Sequence, residues 1–260
     1  MRHLLESWPQ IGDALRCFHS IVLFLDFDGT LVDLGARPED AALDPAMRKV
    51  LRRLAHSLGL RVYLISGRSQ ADLRERVHLH GMGYLGLHGW EGRIHGRLDE
   101  DMRLSIDEMR RKLTHRLDGF PGIQVEDKGD ALAIHYRRAG VPVVSQARSC
   151  LRQALDECGA GLRVLEGDKI WEILPRQVRG KGVAARKQWL ALYHAALPIY
   201  VGNDSTDEHA FQALARGVTI RVGPRRSSRA KFYLRSPGEV RTFLEKLAEA
   251  SHPSHRSGRL

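Results

Sequence analysis

The sequence predicts an α/β protein: a doubly wound parallel sheet interrupted by a smaller α+β module. Three observations carry this reading. First, Ile21–Leu25 is an unbroken apolar run that stops at Asp26-Phe27-Asp28-Gly29-Thr30, as a buried parallel strand does where it opens into a loop. Second, helical and strand patterns alternate from residue 4 to residue 87, and again after residue 183. Third, between residues 102 and 174 the alternation gives way to helix-strand-strand, twice over.

Each element has a local reason. Residues 4–19 have helical spacing, and the first strand follows. Residues 43–58 form a helix opened by Asp44 and Pro45, which suit a cap and a first turn, and Gly59 ends it. Leu60–Ile65 is the next strand, Ser69 caps a short helix to Val77, and residues 84–87 form a third strand. Then come a helix over 102–117 and strands over 123–125 and 131–136 around the turn Lys128-Gly129-Asp130. A helix over 143–158 follows, with strands over 162–165 and 169–174 around Glu166-Gly167-Asp168. This pseudo-repeat reads as a separate domain over 102–177, inserted into a core of residues 1–101 and 178–260. Helices over 183–192, 206–215 and 237–249, with strands over 198–201 and Val218–Val222, complete the core; residues 251–260 read as a disordered tail.

Composition narrows the class. With 43% hydrophobic residues over 260 the chain buries an ordinary core. No apolar run approaches the ~20 residues that span a bilayer, and the first residues lack the apolar segment of a signal peptide. A cytoplasmic protein with no membrane partner is expected. Cys17, Cys150 and Cys158 form no CxxC pair, so neither a disulfide framework nor a zinc site is indicated. The net charge of +10 is concentrated in residues 216–260, with 11 Lys and Arg against 3 Asp and Glu. Without stacking aromatics or a nucleic-acid motif, this reads as a solvated basic face, and no nucleic-acid partner is expected.

Asp26 and Asp28 lie where ligands bind in open α/β sheets. Paired carboxylates there attract a divalent cation, and one can attack while the other moves a proton. That is the equipment of phosphoryl transfer; a chance acidic turn is the alternative.

Asp26-Phe27-Asp28-Gly29-Thr30 resembles the first motif of the haloacid dehalogenase-like (HAD) phosphatases. Tyr63-Leu64-Ile65-Ser66-Gly67-Arg68 resembles their second motif, Gly180-Lys181-Gly182 the third, and Gly202-Asn203-Asp204-Ser205-Thr206-Asp207-Glu208 the fourth. Gly86-Leu87-His88-Gly89-Trp90-Glu91, Val125-Glu126-Asp127-Lys128-Gly129 and Glu172-Ile173-Leu174-Pro175 narrow the resemblance to bacterial trehalose-6-phosphate phosphatases, from about residue 23 to residue 211.

The resemblance implies a Rossmann-like HAD core with a C2-type cap over 102–177 that sets substrate specificity. It implies Mg²⁺-dependent conversion of trehalose 6-phosphate to trehalose and phosphate through an aspartyl-phosphate. Asp26 would be the nucleophile and Asp28 the general acid and base. Ser66 and the Gly67 N–H would hold phosphoryl oxygens, and Lys181 would offset their charge and keep Asp26 ionised. Arg68 would hold the phosphate or pair with Asp207; both readings stand. Mg²⁺ would take Asp26, the carbonyl of Asp28 and the fourth motif, with Asp204 and Asp207 near it. Here the chain departs from the family's G-D-D: Asn203 occupies the usual ligand position and offers an uncharged amide oxygen. In the cap, Glu126 and Lys128 at a hairpin tip and Glu172 on a strand would reach the distal glucose; a solvated hairpin is the alternative. Glu91 would touch the sugar, while His88 and His135 are equally readable as structural. The rival functions are a phosphatase for another sugar phosphate, such as a mannosyl- or glucosyl-glycerate phosphate, and a weakly active sugar-phosphate sensor. Oligomeric state is left open.

Overall fold

The structure is a computed structural model that describes residues 1–16, 18–35, 41–92, 98–193, 195–224 and 227–250. The expected tail over 251–260 lies outside the described residues, as do Cys17, Arg225 and Arg226. The chain forms two compact units: Met1–Ile94 with Gly180–Leu260, and His95–Arg179.

The first unit opens with β1 (Arg2–His3) and α1 (Trp8–Arg16). The helix expected from residue 4 starts later, because Pro9 is tolerated only in a first helical turn. β2 (Ile21–Leu25) is buried at all five residues. α2 (Pro45–Ala55) is capped by Asp44, which accepts from the N–H groups of Ala46 and Met47. β3 (Leu60–Ile65), α3 (Gln70–Val77) with Ser69 as its cap, and β4 (Gly83–Leu85) follow.

The second unit contains α4 (Glu100–Leu117), β5 (Gln124–Asp127), β6 (Leu132–His135), α5 (Val141–Cys158), β7 (Leu162–Gly167) and β8 (Ile170–Pro175). Its sheet is antiparallel, in the order β5-β6-β8-β7. α4 buries Met102, Ile106, Met109, Leu113 and Leu117, the stripe its spacing encodes. β5 runs two residues further than expected, so Glu126 lies within the strand opposite Ala133, and only Lys128 stands at the turn.

The chain returns to the first unit with α6 (Lys181–Leu192), β9 (Leu197–Gly202), α7 (Glu208–Ala213), β10 (Val218–Val222), β11 (Phe232–Leu234) and α8 (Pro237–Ala250). All seven strands are parallel, in the order β1-β11-β10-β9-β2-β3-β4. β2 is therefore central, between β9 and β3. Its residues alternate between two cores: Leu23 and Leu25 pack with α2 and α8, while Val22 and Phe24 pack with Ala185 of α6 and Phe211 of α7. Helices thus cover both faces, which is why β2 reads as a continuous apolar run. Among the described residues, no helix is long and apolar enough to cross a membrane.

Candidate active site

The site of the first unit is built at the C-terminal end of β2. Asp26 leaves the sheet with its N–H donating to the Val201 carbonyl of β9 at 2.9 Å. Asp26 as a residue is 3% exposed. Lys181, the first residue of α6, donates Nζ to Asp26 Oδ1 at 2.8 Å and to Asp207 Oδ1 at 3.0 Å. Lys181 is 4% exposed, so one buried cation serves two buried carboxylates.

Asp207 organises the fourth-motif loop. Its Oδ1 also accepts from the Tyr200 hydroxyl at 2.8 Å, and its Oδ2 accepts the backbone N–H groups of Asn203 and Asp204, both at 2.9 Å. Gly202 is glycine because a Cβ there would overlap this carboxylate. Asp204 turns its own carboxylate to the N–H and hydroxyl of Ser205, capping the turn that leads to α7.

On the other side of Asp26, Thr30 Oγ1 lies 3.5 Å from Oδ2 and 3.1 Å from the Asn203 amide. The same amide atom stands 2.8 Å from the Asp28 carbonyl oxygen and 3.0 Å from Asp26 Oδ2. Gly29, with φ +74°, lets the loop turn here, and a Cβ on it would overlap the Asn203 amide. Octahedral oxygens about 2.0–2.1 Å from Mg²⁺ are separated by about 2.9 Å along each edge. The 2.8 and 3.0 Å from the Asn203 amide to the Asp28 carbonyl and to Asp26 Oδ2 match two such edges. Among the described residues no three His, Cys, Asp or Glu side chains form a metal cage; this donor set mixes one carboxylate with a carbonyl and an amide.

Asp28 is bound by Arg68 in two-point fashion, Nε to Oδ2 and Nη2 to Oδ1, both at 2.7 Å. The same guanidinium donates to Asp72 Oδ2 at 2.8 Å and lies over the Phe27 ring. The expected alternative of an Arg68–Asp207 pair is corrected: Asp207 is taken by Lys181, and Arg68 binds Asp28 and Asp72. Ser66 is buried, and its Oγ accepts the Arg68 N–H at 3.2 Å, which leaves its O–H to donate elsewhere. Gly67 sits between them in the loop from β3 to α3. Glu91 accepts the Gln70 N–H at the first turn of α3, so its carboxylate serves a helix start. His88 is buried in a left-handed conformation within the same tight loop.

Burial dominates the electrostatics. It pushes the Asp26 carboxyl up to about 8, against the opposing pull of Lys181 and with the help of Asp207 and Asp28. Lys181 is thus the group that favours the ionised Asp26 carboxylate against its burial. For Lys181, burial disfavours the charge, but Asp207 and Asp26 outweigh it and hold the ammonium above its ordinary range. Arg68 is raised in the same way, its Asp28 bonds overcoming burial. Asp72 is lowered: the Arg76 and Arg68 hydrogen bonds prevail over its burial.

The second unit carries its own polar cluster. Across its sheet Glu126 stands opposite Ala133, Ala133 opposite Glu172, and Glu172 opposite Leu165. Ala133 adds only a methyl between the two glutamates, so both carboxylates can converge on one cation. Lys128 Nζ donates to Glu172 Oε1 at 2.8 Å and lies 4.0 Å from Glu126 Oε2, and His135 Nε2 is 2.7 Å from that same oxygen.

Sequence reasoning missed Thr30, Tyr200, Asp72 and the His135 contact. Asp72 had a readable signal, since Arg68, Asp72 and Arg76 form an i, i+4 ladder of alternating charge. Thr30 is a common residue type whose partner Asn203 is far away in sequence, and the Tyr200 hydroxyl meets Asp207 only because the loop after β9 folds back.

The trehalose-phosphatase family profile matches residues 24–237. The chain is 34% identical over 262 residues to a trehalose-phosphate phosphatase of Mycobacterium tuberculosis, covering 92% of this chain and 66% of that protein. It is 36% identical over 267 residues to an uncharacterized glycosyl hydrolase of the same organism, of which it spans 20%. Among solved structures, a trehalose-6-phosphate phosphatase related protein superposes with a TM-score of 0.76 at 26% identity, over 88% of this chain and 97% of the other. With most of its length matched, the chain belongs to the trehalose-phosphatase family.

Proposed function

We propose that the protein hydrolyses trehalose 6-phosphate to trehalose and phosphate, with Asp26 as nucleophile and Mg²⁺ as cofactor. The observation that carries this reading is the Asp26 carboxylate at the end of the central strand, held between Lys181 on one oxygen and Thr30 with Asn203 on the other. The M. tuberculosis relative named trehalose-phosphate phosphatase supports the substrate.

An Asp26 oxygen attacks phosphorus in line, and the bond to the sugar oxygen breaks. Asp28, which takes up a proton once Arg68 lets it go, gives that proton to the sugar oxygen, so trehalose leaves neutral. For this Asp28 must be released from Arg68; an arriving phosphate dianion competes for the guanidinium, while Asp72 keeps it in place. A water then attacks the phosphoryl group, loses its proton to Asp28, and frees Asp26 and phosphate. Ser66 and Lys181 hold the transferring oxygens throughout. Asp26, the Asp28 carbonyl and Asn203 would hold Mg²⁺, with Asp204 and Asp207 fixing their loop. The ion supplies charge that favours ionised Asp26 despite its burial and offsets the phosphoryl charge.

Glu126, Lys128 and Glu172 are the groups we assign to the sugar, as hydroxyl acceptors and donors. Glu126→Ala and Lys128→Ala should each raise KM for trehalose 6-phosphate about tenfold or more, the cost of a lost charged hydrogen bond. KM for a generic aryl phosphate should stay within about twofold, since that substrate lacks the distal sugar. Equal losses on both substrates contradict a sugar-reading role. The function itself is tested by phosphate release from trehalose 6-phosphate with Mg²⁺ and with a chelator. Release that needs the ion supports the proposal; no release with Mg²⁺ present ends it.

Three cations of the basic C-terminal stretch are bound within the fold. Arg221 binds Glu208, Lys231 binds the Gly217 carbonyl, and Arg235 binds Glu239 and Glu6.

A further inference from the structure

We propose that Asn203 substitutes for the divalent cation when none is bound: its side-chain N–H group bridges Asp26 and Asp28, and the amide turns over to present its oxygen when the ion enters. This rests on the cation site proposed above. The amide atom that faces the site is 2.8 Å from the Asp28 carbonyl oxygen and 3.0 Å from Asp26 Oδ2. An oxygen in that position with no cation would oppose two other oxygens, whereas a nitrogen donates to both.

A half-turn of the amide about Cβ–Cγ exchanges nitrogen for oxygen at nearly the same point. No backbone movement is needed, and the backbone is pinned, because Asp207 holds the N–H groups of Asn203 and Asp204. Thr30 suits either state. At 3.1 Å its hydroxyl can accept from the amide N–H or donate to the amide oxygen. Gly29 leaves the amide room to stand there, since a Cβ would overlap it.

An aspartate at 203 has no N–H to offer. Without a cation it would set a second carboxylate against Asp26 Oδ2 and the Asp28 carbonyl. With a cation it would add a full charge where the amide adds a dipole. The asparagine therefore stabilises the bare site and weakens cation binding, and the two effects come from one side chain.

The test is thermal unfolding of the full chain, first in chelator and then across a Mg²⁺ titration, for the wild type, Asn203→Ala and Asn203→Asp. In chelator the melting temperatures should fall in the order wild type, Asn203→Ala, Asn203→Asp, with about 5 °C between the extremes. Mg²⁺ should then raise the Asn203→Asp protein most, with a midpoint up to about tenfold lower than wild type. The Asn203→Ala protein, which adds no charge, keeps the proposal open to test if Asn203→Asp fails to fold. Melting of the variants at or above wild type in chelator, alongside a normal Mg²⁺ response, overturns the amide bridge and leaves the cation site standing. Failure of Mg²⁺ to shift any of the three proteins overturns the cation site, and the turning amide with it.

Discussion

Asp26→Asn should lower phosphate release from trehalose 6-phosphate by at least about a thousandfold, with the fold intact. The amide matches the carboxylate in shape but cannot attack phosphorus. The structure also says why folding survives. Asp26 is buried, and its ionised form is disfavoured there. A neutral side chain removes a buried charge, and Lys181 keeps Asp207 as its partner. Steady-state turnover and circular dichroism together check this. Turnover within tenfold of wild type, in a normally folded variant, rules out Asp26 as the nucleophile.

Lys181→Met should be the most destabilising change in the site. Lys181 touches Asp26 at 2.8 Å and Asp207 at 3.0 Å, and all three side chains are at most 5% exposed. Removing the cation leaves two carboxylates facing each other in a dry site. Breaking a buried pair from one side typically costs about 3–5 kcal/mol. For a domain of this size that lowers the melting temperature by about 10 °C, measured in chelator so that no added ion compensates. Activity should fall as well, because Lys181 is the cation we assign to the phosphoryl charge. A drop under about 2 °C contradicts the view that Lys181 neutralises both carboxylates.

Asp26 and Lys181 are both conspicuous in the sequence. Ile21–Leu25 and the acidic loop after it were legible because a central parallel strand must be apolar on both faces and must stop where ligands bind. Ser69 and Asp44 were legible as caps because capping is local chemistry. β1 and β11 were not, since strands of two and three residues flanked by charge carry no period to read. β11 takes its place by pairing with β10, and β1 by pairing with β11 from the other end of the chain.

The site divides in the same way. Asp26, Asp28, Ser66 and Lys181 came from motifs, and all four lie around the end of β2. What the motifs could not give were partners. Arg68 was left between phosphate and Asp207, and only the folded chain brings Asp28 and Asp72 to it. Glu126 seemed to sit at a hairpin tip because the apolar stretch of β5 is short; pairing with β6 extends the strand through Asp127. For Lys181 the sequence shows the charge but not the burial that opposes it at Asp26.

The most direct test of the account compares kcat/KM for trehalose 6-phosphate with that for glucose 6-phosphate under saturating Mg²⁺. The two esters present the same phosphate and the same first ring; only the first has the second glucose that we assign to Glu126, Lys128 and Glu172. The account predicts a preference of about a hundredfold for trehalose 6-phosphate, near 2.7 kcal/mol on the usual arithmetic. Equal values for the two esters, or a preference for glucose 6-phosphate, would contradict it.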